Sequence, residues 1–463
     1  MSVDNQPGAG DFAAPIAALL AQIDGVPVIA EPTIVRRRSR DFFWYSPILN
    51  AQLAGKSADF IVTPRNEEEV VRVARACVRC GVPLTPRGGG TGNYGQAVPL
   101  ERGVLIDFSA MDRILWSKPG ALRVEPGARM HDIDAALRPA GWELRMHPST
   151  KRTATIGGFV AGGSGGVGSI TYGGLRDPGN VLAARIVTLE REPRVIELRG
   201  DDVQKIIRAY GTTGLITALE MPLAPAWPWV DVIVAFDDFI EAVNVGRQIA
   251  LADGIVKKLS SAIAWPIPKD FRELAALCPD GKSLLIAMIA EPSLETFHTV
   301  LAGRGAVACQ APCLEGAGET PLYEYCWNHT TLHMLKRDRG VTYLQCLFPH
   351  DRLSPLVQRM VATFGDEVLH HLEFQRFAGH VTASALPIVR YTSAGRLNEI
   401  IAAYEEAGVM VANPHVFTLE DGSRYRRADA DQLGFKAEVD PFGLLNPGKM
   451  RSFEPAKWEP AQG

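Results

Sequence analysis

Apolar positions along this chain recur with two rhythms, one near a period of two and one near 3.6, and the switches between them outline its elements. The first clear block, "ADFIVTP", "NEEEVVRVARACVRCG", "VPLTP", predicts strand, helix, strand. Asn66 with Glu69 three residues on supplies an N-cap and a first-turn carboxylate, and Gly81 ends the helix. A short amphipathic helix is expected near residues 13–23. Further strands are expected at 104–108, 122–126, 181–189, 194–198 and 215–223, with helices around 130–140 and 202–209. Strands and helices mix without the regular alternation of a parallel doubly wound sheet.

Proline and tryptophan crowd "APAWPWVD" and mark a boundary near residue 226. Beyond it "VDVIVAF", "SLLIAMIA", "VTYLQCLF", "EVLHHLEFQRF" and "HVTASALPIVRY" read as strands, with helices near 238–252, 292–302, 353–363 and 394–407. This predicts an antiparallel sheet covered by helices on one face. The expected organisation is α+β: an N-terminal helix and arm (1–54), a first domain (55–226), a second α/β domain built on that antiparallel sheet (227–415), and a turn-rich C-terminal segment (416–463) returning to the first. No fixed-period repeat is visible.

Two glycine-dense stretches interrupt the pattern. In "PRGGGTGNYGQAVP" Gly90, Gly92 and Gly95 have the G-x-G-x-x-G spacing of a nicotinamide dinucleotide site, and Gly163, Gly165 and Gly168 repeat it in "GGSGGVG". A Rossmann site needs a helix opening on the last glycine. After Gly95 only "QAVPLERG" precedes the next apolar run, and Pro99 and Gly103 break it. The second stretch runs into "SITYGGLRDPGN", also without an expected helix. Bare amides converging on a diphosphate explain such glycines better, because the missing Cβ permits close approach.

Composition narrows the partners. With 463 residues, 46% hydrophobic and 22% charged, the chain is long enough for two or three domains, and its formal charge of -4 argues against a general nucleic-acid binder. Its partners are expected to be small molecules. Seven cysteines, with Cys77 and Cys80 late in a helical pattern, read as structural and fit a reducing, cytoplasmic setting. The N-terminus lacks a basic region followed by an apolar run, "RRRSRDFFWYSPIL" lies too deep for an export signal, and no window reaches the roughly 18 apolar residues of a membrane span.

Four segments in order, "PRGGGTGNYGQAVPLERGVLIDFSAMDRI", "HPSTKRTATIGGFVAGGSGGVGSITYGGLRD", "YGTTGLITALEMPLAP" and "LLNPGKM", resemble the signatures of FAD-linked oxidases of the vanillyl-alcohol oxidase and p-cresol methylhydroxylase (PCMH) superfamily. The resemblance covers roughly residues 55–225 and the C-terminal end. It implies a PCMH-type FAD-binding domain in which the backbone of Arg87, Gly88, Gly89, Gly90, Thr91, Gly92 and Asn93 holds the pyrophosphate. Pro148, Ser149, Thr155, Ile156, Gly157 and Gly158 would line the flavin and ribityl chain. Gly162, Ser164, Gly165, Tyr172 and Gly173 would follow the diphosphate and adenosine, Ile216 would pack on the cofactor, and Asn446 and Lys449 would return near the isoalloxazine. Some relatives tether FAD through a histidine in the first loop; here Gly90 and Thr91 stand there, implying noncovalent FAD unless a second-domain histidine or tyrosine forms the bond.

The implied reaction is oxidation of an alcohol or hydroxy acid, with substrate and base supplied by the second domain. The "HGDGN"-like and "GEHG"-like segments of metal-assisted relatives are absent; "HHLEFQRFAGH" and "NPHVFTLEDG" stand in their places, and no metal is expected. In "CWNHTTLHMLKRDRG" His329 and His333 share a helix face with Lys336, as candidate base and carboxylate anchor, although a place in the core is the commoner role for such histidines. His371 and Glu373 alternate to one side of a strand. Arg390 is a second possible anchor and His415 a second possible base. The alternatives are a flavin-bearing electron-transfer subunit of a larger, glycolate-oxidase-like dehydrogenase, with "RRRSRDFFWYSP" as docking patch, and an NAD(P)H-dependent flavin reductase. An electron-acceptor protein and a homodimer are the macromolecular partners this reading admits.

Overall fold

The computed structural model describes residues 13–163, 165–316, 319–420 and 430–460. Its first half holds two sheets. Strands Phe60–Val62 and Leu84–Arg87 flank Val104–Asp107 in parallel, and Val28–Ile29 adds an antiparallel edge. The helix Glu67–Cys80 bridges the first two of these strands. Asn66 caps it by accepting from Glu69 N, Gly81 closes it at φ +63°, and Val70, Val73, Ala74, Cys77 and Val78 turn inward. The expected first-turn carboxylate reaches one residue further back, where Glu69 Oε2 accepts from Arg65 N at 2.8 Å.

Six antiparallel strands form the second sheet around Leu215–Pro225. Two of its members, Ile114–Lys118 and Trp142–Leu144, are absent from the strands read in the sequence.

Eight antiparallel strands build the third sheet, in the order Ala306–Pro312, Trp229–Phe236, Ser283–Ala290, Lys257–Ile263, His371–Phe377, His380–Ala385, Cys346–Leu347, Met410–Val411. Helices Phe239–Leu251, Leu294–Leu301, Leu353–Phe364 and Ala394–Glu406 cover one face with a single apolar core, as expected. The opposite face carries a second core that includes Tyr45 and Tyr94 from the first half of the chain and Tyr323, Tyr325 and Tyr343 from the second. Strand Lys257–Ile263 was not anticipated, because "KKLSSAI" mixes lysine and serine into a buried strand. "VTYLQCLF", "EVLHHLEFQRF" and "HVTASALPIVRY", each read as one strand, are each divided: Val341–Tyr343, Val368–Leu369 and Ile388–Arg390 leave to form a separate three-stranded sheet.

The C-terminal segment returns to the first half. Leu84 N donates to Leu444 O at 2.8 Å, Asn446 N to Leu84 O at 2.8 Å, and Phe435 and Val439 of helix Ala430–Val439 join the core under the second sheet. Among the described residues no helix is long and apolar enough to cross a membrane.

Candidate active site

The first glycine stretch follows strand Leu84–Arg87 and continues without a helix to Val104. It is pressed against the second stretch so closely that a Cβ on Gly89 would lie 2.3 Å from the Thr153 carbonyl oxygen, and one on Gly88 would lie 2.1 Å from Thr155 Oγ1. Gly90 sits at φ +65°, where L side chains are disfavoured. The second stretch departs from expectation: Ile156–Gly162 is a helix, with Thr155 Oγ1 accepting from Gly158 N at 3.3 Å, and Ser169–Tyr172 is a further helical turn. Phe159 and Val160 drive this, since they complete the apolar core on one face while glycines occupy the other. From Gly88 to Asn93, no backbone amide donates to a protein acceptor among the described residues. A row of uncommitted amides at a cavity wall fits a diphosphate.

Both stretches line a cavity with about 1430 Å³ of empty space, part of it open to solvent. Arg87 to Asn93, Pro148, Ser149, Thr155, Gly157, Gly158, Gly162, Gly165 and Ile216 all lie on its wall. The second half of the chain contributes Trp327, Asn328, Gln345 and Leu386.

Other residues of the implied set stand behind the wall. Ile156 is fully buried in the core. Asn446 donates to the Gln96 and Tyr210 carbonyls (2.9 and 2.7 Å), and Lys449 to Gly95 O (2.6 Å), so both brace the loops from the rear. Tyr172 lies beneath the Arg145 guanidinium, and Gly173 packs on Asp177, both outside the lining. Ser164 lies outside the described residues. Asp41, on the cavity wall, and Lys449 form a buried pair; burial pushes the carboxyl up and the ammonium down, each partly countered by the other.

Polar side chains converge where the two halves meet. The Tyr94 hydroxyl bonds Gln345 Oε1, and Asn328 Nδ2 reaches Asn93 Oδ1 at 3.4 Å. Arg208 lines the same cavity with no carboxylate partner among the described residues. Burial raises both neighbouring phenols, Tyr210 to about 12, so they stay protonated at neutral pH. Among the described residues, four of the seven non-glycine residues at positive φ, namely Arg208, Tyr210, Trp327 and Asn446, sit at or directly behind this cavity. Backbone strain of this kind persists only where the surroundings enforce it.

The five side chains singled out for acid–base and anchoring roles lie outside the lining. Helix Asn328–Arg337 does carry His329, His333 and Lys336, but its apolar surroundings turn His333 onto the Tyr325 ring (4.6 Å, 17°), with Nε2 donating to Glu324 O at 3.3 Å. Burial lowers His329 and His333 to about 4, and Lys336 is exposed. Arg390 is exposed and donates to the Asp366 carbonyl at 2.9 Å. His415 is spent on structure: Nε2 donates to Tyr343 O at 2.9 Å, leaving Nδ1 to accept from Ser46 Oγ at 2.7 Å. His371 and Glu373 do share a strand face, 2.6 Å apart and fully buried with Ser261. Among the described residues no three His, Cys, Asp or Glu side chains converge as a metal site.

Sequence reasoning passed over Asp41, Tyr94, Arg208, Tyr210, Trp327, Asn328 and Gln345. Trp327 and Asn328 directly precede the histidine it favoured, at the entrance of the same helix. Tyr210 opens "YGTTG" and Arg208 stands two residues before it; their signal is positive φ, which only coordinates show.

Comparison with known proteins places residues 58–193 in an FAD-binding domain family. The glycolate oxidase subunit GlcD of Escherichia coli K12 is 31% identical over 204 residues, 42% of this chain and 40% of the subunit's own length. The mitochondrial D-2-hydroxyglutarate dehydrogenase of Bos taurus is 24% identical over 85% of this chain and 77% of its own. Among solved structures, an alkyldihydroxyacetonephosphate synthase superposes with a TM-score of 0.71 over 97% of this chain and 86% of its own, at 17% identity, which speaks to the fold.

Proposed function

We propose that this chain, whose residues 58–193 are an FAD-binding domain, is a flavin-linked oxidoreductase that oxidises a small hydroxy acid at its hydroxyl-bearing carbon. One observation carries the reading: a loop of uncommitted amides and a second-domain wall of polar side chains enclose a single cavity. Bound there, FAD would accept the hydride equivalent released by the substrate. This chain's own residues do the rest. Gly88 to Asn93 bind the diphosphate through main-chain N–H groups, braced by Asn446 and Lys449. Arg208 is the proposed anchor for the substrate carboxylate, since a guanidinium with no carboxylate partner among the described residues can offer two parallel donors. The Tyr94–Gln345 and Asn93–Asn328 pairs would orient the hydroxyl, while Trp327 and Leu386 exclude water.

Support from relatives is chemical: glycolate, D-2-hydroxyglutarate and D-lactate, named for three of them, are all 2-hydroxy carboxylates. FAD is proposed to be noncovalent, because no histidine lines the cavity and the two tyrosines that do, Tyr94 and Tyr210, come from the first half of the chain rather than the second.

Anaerobic titration of the purified yellow protein with 2-hydroxy acids, phenolic alcohols, sugar alcohols and NADPH tests the reading. The expected result is bleaching by a 2-hydroxy acid, lost in Arg208→Met with flavin content retained, and no yellow colour in the pellet after acid precipitation. A protein that takes up no FAD, or that bleaches with NADPH alone, would overturn it.

A further inference from the structure

The fully buried cluster of Ser261, His371 and Glu373 has no part in the proposed chemistry, yet it reaches the cavity wall through the main chain. Ser261 stands opposite Glu373 in the register of two neighbouring strands of the third sheet. Glu373 Oε1 accepts from Ser261 Oγ at 3.0 Å, from His371 Nε2 at 2.6 Å and from Trp327 N at 2.5 Å. Ser261, His371 and Glu373 are shut off from solvent, so none of these bonds competes with water. Trp327 belongs to neither strand. It precedes helix Asn328–Arg337 as its N-cap.

Trp327 sits at φ +53° and ψ −142°, a conformation that a bulky side chain keeps only where its surroundings impose it. Its own side chain makes no capping bond. What its N–H meets instead is a carboxylate already held by two other donors. The following residue reaches across to the first glycine stretch, with Asn328 Nδ2 3.4 Å from Asn93 Oδ1. Both Trp327 and Asn328 line the cavity, and Trp327 Nε1 and Asn328 Oδ1 are buried with no partner among the described residues. Unspent polar atoms of this kind are rare in native proteins and ask for a ligand.

We propose that Glu373 is a positioning residue: it pins the main chain at Trp327 and thereby sets the indole and the Asn328 amide as the part of the wall that meets the substrate. His371 and Ser261 fix the carboxylate. The acceptor atom at Oε1 is what counts, because all three donors converge on it while Oε2 has no partner among the described residues. The substrate half of this proposal rests on the proposed function; the hold on Trp327 does not.

Protein labelled with 15N-tryptophan gives one main-chain and one indole signal for each of its eight tryptophans, and the pair lost in Trp327→Phe belongs to Trp327. In the wild type that main-chain N–H is expected to exchange slowly with solvent. Fast exchange would overturn the contact, whichever variants fold. Glu373→Met alone strands His371, so the apolar change is made to the pair, Glu373→Met with His371→Leu, which proteins tolerate better. In that double variant both Trp327 signals should move and the main-chain N–H should exchange about tenfold faster or more. A carboxamide oxygen can take the same three donors, so Glu373→Gln should leave the signals in place.

With the 2-hydroxy acid that bleaches the flavin, the double variant should raise KM about tenfold or more, with kcat and FAD affinity little changed, as when a binding contact is lost. Glu373→Gln should restore the wild-type KM, and in a Trp327→Ala background the double variant should add nothing further. An unchanged KM or unmoved Trp327 signals in the double variant, a loss confined to thermal stability or FAD uptake, full additivity with Trp327→Ala, or a Glu373→Gln as damaged as the double variant would overturn the positioning role. A wild-type protein that no 2-hydroxy acid bleaches fails the proposed function instead, and the Trp327 signals still decide whether Glu373 holds this corner.

Discussion

Gly89 has no room for a side chain: the Thr153 carbonyl oxygen would stand 2.3 Å from its Cβ, and a carbonyl in a tight turn cannot swing aside. Gly89→Ala must therefore move one glycine stretch away from the other, and the uncommitted amides lose their common aim. The expected outcome is an at least tenfold weaker affinity for FAD, about 1.4 kcal/mol or more, in a flavin fluorescence titration with an unchanged far-UV circular dichroism spectrum. Wild-type affinity in this variant would separate the loop from the cofactor. Such glycines were legible because a run of residues without Cβ stands out in the sequence, although the Thr153 carbonyl that forbids a side chain lies far along the chain. Arg208 and Asp41 were not, since each is defined by neighbours far along the chain: Arg208 by the cavity wall it shares with Trp327 and Gln345, Asp41 by its burial with Lys449.

Elements whose capping and apolar period agree were readable almost to the residue. Helix Glu67–Cys80 has Asn66 at its N-cap and glycine in the left-handed region at its end, and Phe239–Leu251 starts at Asp238, which accepts from Ile240 N at 3.0 Å. Asn66→Ala removes the acceptor for Glu69 N and should lower stability by about 1 kcal/mol. A lower urea midpoint at unchanged slope is the measurement, and an unchanged midpoint would remove the cap from the helix's energetics. Periodicity misled where one apolar run served two sheets. In "HVTASALPIVRY" Pro387 separates His380–Ala385 from Ile388–Arg390, and the chain crosses between sheets there. Likewise the helix bearing His329 and His333 was foreseen, but its entrance, not its histidine face, reaches the cavity.

Burial of neutral histidines gives the whole molecule an acid limit. His333, His370 and His415 are lowered to about 4 by burial, and His147 is also held well down by burial, reinforced by Lys151 and Lys258. Below the unfolded value near 6.5, the unfolded chain takes up protons that the native one refuses, so stability falls as pH drops from about 6.5 towards 4. Each such group contributes up to about 1.4 kcal/mol per pH unit in that window. Asp41 and Asp231, raised to about 6 chiefly by burial, act in the opposite sense, as do Glu101, Glu324 and Asp440, which burial also raises, so the histidine effect is read as a net difference. Urea midpoints at pH 7.5 and 5 should differ, with the lower value at pH 5; equal midpoints would mean that these imidazoles are not held neutral.

The sequence alone determined what depends on neighbours along the chain: the capped helices, the lack after Gly95 of the helix a Rossmann site would need, and the resemblance to an FAD-binding domain. Those features are enforced within a few residues by backbone conformation and main-chain hydrogen bonding, so their signal is local. Only the tertiary structure decided which side chains face the cavity. Arg208 shares the cavity wall with Trp327 and Gln345, and Lys258 meets Glu143 at 2.6 Å, across long stretches of intervening chain. Such contacts arise from the packing of two cores against each other, and no spacing rule along the chain encodes them.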